Sequence, residues 1–262
     1  MKQRIITAIV ALLIFVPIVL LGDWPFILLV YAMATIGIME LMRMRKIAFF
    51  SLPSIVATVL VWIMLIPSSV NISLTITKLE VLAIFVFISL IYTVLVKNKF
   101  TFDDVGFMMI AALYISIGFY YFQETRLFSE LGLPHVFFGL LIIWSTDTGA
   151  YFFGRSLGKR KLWPQISPNK TIGGALGGIF LALVVGSIYH FIFPMSHSFL
   201  IVVIVIVMAS IFGQIGDLVA SAYKRHYRVK DSGKLLPGHG GILDRMDSML
   251  FVFPLLHLIQ FF

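Results

Sequence analysis

The sequence predicts an all-α, polytopic integral membrane protein of about nine transmembrane helices, and three observations carry that expectation. Hydrophobic residues make up 60% of the chain and charged residues 12%, where soluble domains carry roughly 25% charge. Apolar stretches recur at close to the roughly 20 residues that a helix needs to cross a bilayer core of about 30 Å. Lys and Arg alternate between the two sides of those stretches. The chain has no cysteine, which excludes a disulfide framework, a thiolate metal site and a thiol nucleophile. Its net charge of +8 suits anionic partners, either lipid headgroups or a phosphorylated substrate.

The expected spans are 5–22, 25–42, 50–68, 79–96, 104–122, 135–153, 172–193, 198–220 and 248–262. Lys2 and Arg4 precede the first apolar run, as in a signal peptide. No small-residue cleavage site follows, so an uncleaved first span is expected. Gly22-Asp23-Trp24-Pro25 is a tight turn with an interfacial Trp. Pro17, Pro53 and Pro67 are tolerated kinks or span ends. Glu40 and Arg43 are three apart and are expected to pair at the membrane surface. No inverted repeat of the transporter kind is visible.

Basic residues number two at the N-terminus, three after span two, two after span four, five after span six and six after span eight; only Lys78 and Arg126 fall on the other side. Positive-inside orientation predicts this alternation for a cytoplasmic N-terminus and a C-terminus on the opposite side. The chain then divides into an N-terminal bundle, 1–130, and a C-terminal catalytic region, 131–262, with cytoplasmic loops 154–171 and 221–247.

The chemistry concentrates in that second region. Asp147 lies deep in span six and Asp217 near the inner end of span eight. A carboxylate in hydrocarbon costs at least about 2.5 kcal/mol, so each must meet a partner, water or a metal. Asp147, ringed by Ser145, Thr146 and Thr148, is either bonded to a neighbouring Ser, Thr or Lys or functional. Asp217 has Ser221 and Lys224 at i+4 and i+7, a stripe that leads toward the loop. Asp244 and Asp247 are three apart and share a face if helical. They are either a favourable charge pair in a first helical turn or part of the oxygen set that magnesium takes beside phosphates. The glycine turn Gly238-His239-Gly240-Gly241 suits close approach of backbone N–H groups to a phosphate.

With Lys224, Arg225 and Lys230 this set reads as a polyphosphate site. The other loop places Ser167, Lys170 and Thr171 at the start of span seven, again an anion-binding geometry. Gly173, Gly174, Gly177 and Gly178 read as close helix packing. His190 and His257 are expected to be satisfied by packing neighbours, and His135, His197 and His226 to sit at the interface. His239 either bonds phosphate or caps the turn.

These residues form a pattern. Ser221-Ala222-Tyr223-Lys224-Arg225, Lys230-Asp231 and Leu236-Pro237-Gly238-His239-Gly240-Gly241-Ile242-Leu243-Asp244-Arg245-Met246-Asp247 closely resemble the signature of the phosphatidate cytidylyltransferase (CDP-diacylglycerol synthase) family. Asp147-Thr148-Gly149-Ala150-Tyr151, Gly154-Arg155, Gly158-Lys159 and Ser167-Pro168-Asn169-Lys170-Thr171 resemble it too. The N-terminal spans match only in number and length. Gly173 stands where the family commonly carries Glu. The resemblance implies transfer of a cytidylyl group from CTP to phosphatidate by a magnesium-dependent membrane enzyme that forms a homodimer, with no nucleic acid partner. It implies Asp217 and Asp244 as magnesium ligands, with Asp247 direct or water-mediated. Lys224, Arg225 and Lys230, with Arg245, would hold phosphate; Ser167 and Lys170 would reach it from the other loop, and Asp231 and His239 would orient the set.

Two other classes fit parts of the pattern. A transporter coupling cations or protons through Asp147 and Asp217 explains the intramembrane acids but not a polar cluster on one side. A CTP-dependent lipid-alcohol kinase suits the basic loops, but a hydroxyl acceptor needs a general base where a phosphate does not. The spaced-aspartate motif of CDP-alcohol phosphatidyltransferases is absent.

Overall fold

The computed structural model describes residues 2–68, 76–127 and 131–262. The side chains of Lys2 and Arg4 and the expected division at 130 lie outside the described residues. The helices are α1 (Lys2–Leu21), α2 (Asp23–Met44), α3 (Leu52–Met64), α4 (Lys78–Leu95), α5 (Phe102–Leu127), α6 (Gly132–Leu157), α7 (Ile172–Ile192), α8 (Phe199–His226), α9 (Leu243–Met246) and α10 (Met249–Leu258). Among the described residues six of them (α2, α4, α5, α6, α7 and α8) are long and apolar enough to cross a membrane, and shorter apolar helices occupy Ile6–Leu21, Leu52–Met64 and Met249–Leu258. The fold is not wholly helical. Lys161–Trp163 (β1) and Ser167–Thr171 (β2) form an antiparallel hairpin between α6 and α7. The run expected at a helix start, 167–171, is therefore a strand, and only Thr171 caps the helix that follows.

Local chemistry sets the helix ends. Thr77 and Glu80 form a reciprocal capping box at the start of α4, satisfying two backbone donors that have no helical acceptor. Thr101 and Asp104 make the same exchange ahead of α5. Helix α3 is shorter than its expected span because side chains take over its last carbonyls. Lys78 donates to the carbonyls of Met64 and Ile66, both at 3.0 Å. Gln123 donates to that of Leu65 at 2.9 Å.

Cα packing divides the chain into two compact units, Met1–Glu124 with Ser232–Ile242, and Thr125–Asp231 with Leu243–Phe262. The first has a core built on Phe26, Phe119 and Phe122, with Phe26 edge-on to Phe122 at 5.2 Å. Arg45 donates twice to Asp104, through Nε at 2.9 Å and Nη2 at 2.8 Å.

In the second unit α6 packs along α7 on a face of small residues. A Cβ at Gly149 would strike the Gly177 carbonyl, and one at Gly178 would strike the Thr146 carbonyl. The glycines of 173–178 are thus packing residues, as expected. Gly173 sits in the same tight seam: a Cβ there would lie 3.1 Å from the Leu157 carbonyl oxygen. Its surroundings would have to give before it could carry the family's usual Glu. His190 accepts from the Met195 N–H at 3.2 Å, and His257 bonds Thr125 at 2.8 Å, so both are satisfied structurally.

Candidate functional site

Helix α8 is the spine of the site. It carries Asp217 one turn before Ser221 and two turns before Lys224. The Ser221 hydroxyl donates to Asp217 Oδ1 at 3.4 Å. Lys170, at the end of β2, brings Nζ to 2.6 Å from Asp217 Oδ2. Lys224 Nζ lies 2.6 Å from Asp244 Oδ1, with Asp244 nearly buried at 5% side-chain exposure. At the far end of α8, Arg225 Nε donates to the Ile166 carbonyl at 3.2 Å, inside the hairpin turn. Loop 154–171 and the start of loop 221–247 therefore meet at one end of α8, and both supply a lysine to an aspartate.

Close approach of backbones makes this possible. Gly216, just before Asp217, faces the turn after α9, and a Cβ on it would collide with the Asp247 carbonyl oxygen. Only glycine lets that turn lie directly on α8, which sets Asp247 beside Asp217. Asp247 is buried, and the Ser248 N–H donates to its Oδ1 at 2.8 Å. Burial and then the Asp217 carboxylate push its carboxyl up to about 7, with Asp147 adding to the effect and Lys224 opposing it. Asp147 lies within electrostatic reach of Asp217, Lys170 and Arg245. Ser145 and Thr146 spend their hydroxyls elsewhere, on the Leu141 carbonyl and on Ser210 Oγ. Neither of those two hydroxyls donates to Asp147.

Several expectations are revised by this geometry. Asp244 and Asp247 do not share a helical face: α9 ends at Met246 after one turn and Asp247 sits in the turn beyond it. That single turn offers no helix N-terminus for a phosphate. Thr171 is buried and its Oγ1 accepts the Gly174 N–H at 3.0 Å, so it caps α7 and fixes the end of the strand that carries Lys170. Ser167 starts that strand, opposite Trp163. Lys230 and Asp231 are exposed beyond α8, and Arg245 is exposed on α9.

His239, Gly240 and Gly241 belong to the other compact unit, in the segment Ser232–Ile242. Their turn is closed on itself: the N–H groups of His239 and Gly240 both donate to the Leu236 carbonyl, and Leu236 N–H donates to Gly240. Gly238 and Gly240 take φ of 78° and 87°, conformations that glycine adopts without strain. These two N–H groups are engaged internally rather than turned out toward a phosphate, while His239 Nδ1 is buried without a hydrogen-bond partner.

Glu40 is not a surface partner of Arg43; it is buried and holds the Ser232–Ile242 segment. A buried acid in an apolar helix was the one available signal.

Whether the acids suit a metal can be tested on the donors themselves. Among the described residues no three acidic or histidine side chains are grouped closely enough to hold an ion alone. Magnesium asks for less, one or two carboxylates with phosphate oxygens and water. A buried Asp247 beside Asp217, all-oxygen donors and two lysines that a cation can displace fit that requirement.

The chain is similar to known proteins along its whole length. The family model described as the cytidylyltransferase family matches residues 2–262. The chain is 49% identical over 261 residues to a phosphatidate cytidylyltransferase of Bacillus subtilis (strain 168), covering 99% of this chain and 97% of that protein. It is 47% identical over 259 residues to one of Staphylococcus epidermidis, covering 99% and 98%. A third, from Staphylococcus aureus (strain COL), is 46% identical over 259 residues with the same coverage.

Proposed function

We infer the activity from one premise: this chain belongs to the cytidylyltransferase family. It transfers the cytidylyl group of CTP to phosphatidate, giving CDP-diacylglycerol and pyrophosphate. A phosphate oxygen of phosphatidate attacks the α-phosphorus of CTP, one P–O bond forms, and the bond to the bridging oxygen breaks with its electron pair leaving on pyrophosphate. The acceptor is already an anion, so no side-chain nucleophile or general base is required. Catalysis then consists of positioning and of neutralising charge on the transferring group.

The observation that carries the assignment of roles is the pair of ion pairs, Lys170 with Asp217 and Lys224 with Asp244. Each lysine is bound to a carboxylate that phosphate oxygens compete with. When the substrates bind, Lys170 and Lys224 exchange those carboxylates for phosphates, with Arg225, Lys230 and Arg245 adding positive charge. The acids so released, Asp217 and Asp244 with Asp247 direct or through water, would hold magnesium. Bound there, magnesium would neutralise charge on the phosphates and orient them. Ser167, Ser221, Asp231 and Asp147 shape the surroundings, and Thr171 acts through its cap. His239, Gly240 and Gly241 serve the nucleotide.

We propose a bacterial plasma membrane protein of nine spans, with the N-terminus and the active site at the cytoplasmic face and the C-terminus opposite. Alternating Lys and Arg support that orientation. A homodimer is the proposed assembly, checked by light scattering in detergent. The reaction is tested by incubating the purified protein with phosphatidate and CTP, ATP, GTP or UTP, with and without magnesium. CDP-diacylglycerol and pyrophosphate should appear with CTP and magnesium only. Substrate flux into proteoliposomes without pyrophosphate release would overturn the reading in favour of a transporter.

A further inference from the structure

The segment Ser232–Ile242 leaves and rejoins its surroundings at nearly one point, and a single buried side chain holds both ends. Glu40 Oε2 accepts from the Ser232 hydroxyl at 2.8 Å, and Glu40 Oε1 accepts from the Ile242 N–H at 2.9 Å. Those partners lie 192 and 202 residues away in sequence. A Cβ at either Gly233 or Gly241 would fall on the same carboxylate, so the residues just inside each end leave room for it. The tip of the loop is tied separately, by Thr7 of α1 donating to the Pro237 carbonyl at 3.0 Å. Loops of this length whose ends meet keep their shape through their own packing and closure.

We propose that Glu40 is a positioning residue for the reaction: its carboxylate staples the two ends of the 232–242 loop and so fixes the presentation of His239, Gly240 and Gly241 to the nucleotide. This rests on the reading above that the loop serves CTP. Glu40 touches no substrate. It acts by removing freedom from a loop that bears a buried, unbonded imidazole nitrogen at its tip and whose last residue, Ile242, is joined directly to the turn carrying Asp244. A carboxylate suits the task because its two oxygens accept two separate donors with no donor of its own. Glutamine preserves part of it, since its oxygen still accepts from Ile242 and its amide can donate to the Ser232 hydroxyl.

The test uses the full-length protein in detergent–lipid micelles. The chain lacks cysteine, so Lys234→Cys at an exposed loop position takes a single spin label. Glu40→Ala in that background should raise label mobility and raise KM for CTP about tenfold, the scale expected for losing hydrogen bonds to a charged group. The KM for phosphatidate should stay within about twofold, and Glu40→Gln should fall between Ala and the parent. Unchanged mobility in Glu40→Ala, or an equal rise in both KM values, overturns the proposal. His239→Ala separates its failure from that of the underlying reading. If His239→Ala raises KM for CTP and Glu40→Ala does not, the staple alone is wrong. If neither changes it, the loop does not serve the nucleotide and both are wrong.

Discussion

Two groups of acids in this protein are satisfied in opposite ways. Glu40 is met by a backbone N–H and a serine hydroxyl, neutral dipoles fixed by the chain. Asp217 and Asp244 are met by the flexible ammonium groups of Lys170 and Lys224. Fixed dipoles cannot leave without unfolding the loop that supplies them, whereas a lysine can turn to another anion at small cost. The first arrangement holds a shape; the second, on the proposed function, holds a place for exchange. The contrast separates an acid proposed as architecture from acids proposed for chemistry, although all of them are carboxylates in or beside apolar helices.

The sharpest way to break the comparison is Asp244→Asn. Turnover should fall by about a thousandfold or more, on the scale of losing a preorganised electrostatic group, while the protein stays folded in detergent. Retained turnover in the lipid-product assay would remove Asp244 from the chemistry. Lys170→Ala should cost roughly ten- to a hundredfold in kcat/KM, and Lys170→Arg should restore part of it because charge, not shape, is what the exchange needs. Gly216→Ala should reduce both, by about tenfold in activity and about 1–3 kcal/mol in stability, since the added methyl overpacks the contact with the Asp247 backbone. Thermal unfolding monitored with the assay separates the two losses.

A titration sharpens the same contrast. Burial and Asp217 hold the Asp247 carboxyl at about 7, above the ordinary carboxylate range. Its neutral form stabilises the fold, so this contribution is complete in acid and is lost as the pH rises through about 7. In chelator, parent protein should lose several degrees of melting temperature relative to Asp247→Asn between about pH 5 and pH 8. A constant gap across that window would show that the site does not hold Asp247 protonated. The smallest effect is expected at Thr171→Ala, which removes the cap on α7 at about 1 kcal/mol and lowers activity only through a looser Lys170.

Much was legible in the chain itself. Among the described residues a helix lies on each expected apolar stretch, six of them long and apolar enough to cross a membrane and three shorter, because length and composition are properties of consecutive residues. Two of the expected charged groups, Lys224 and Asp244, lie in one segment of the sequence and are paired in the structure. The hairpin Lys161–Trp163 with Ser167–Thr171 was not, since two short polar strands beside a proline leave little periodic trace. Nor was the single-turn length of α9, Leu243–Met246.

The sequence alone thus determined the membrane class, the family and the set of charged groups, because each is a matter of composition or of neighbours along the chain. Only the tertiary structure decided which acid meets which base. Glu40 finds its donors 192 and 202 residues away, and Lys170 finds Asp217 across a helix and a loop. Such partners are chosen by packing, where a missing Cβ at Gly216 or Gly241 admits a close approach that no local pattern announces.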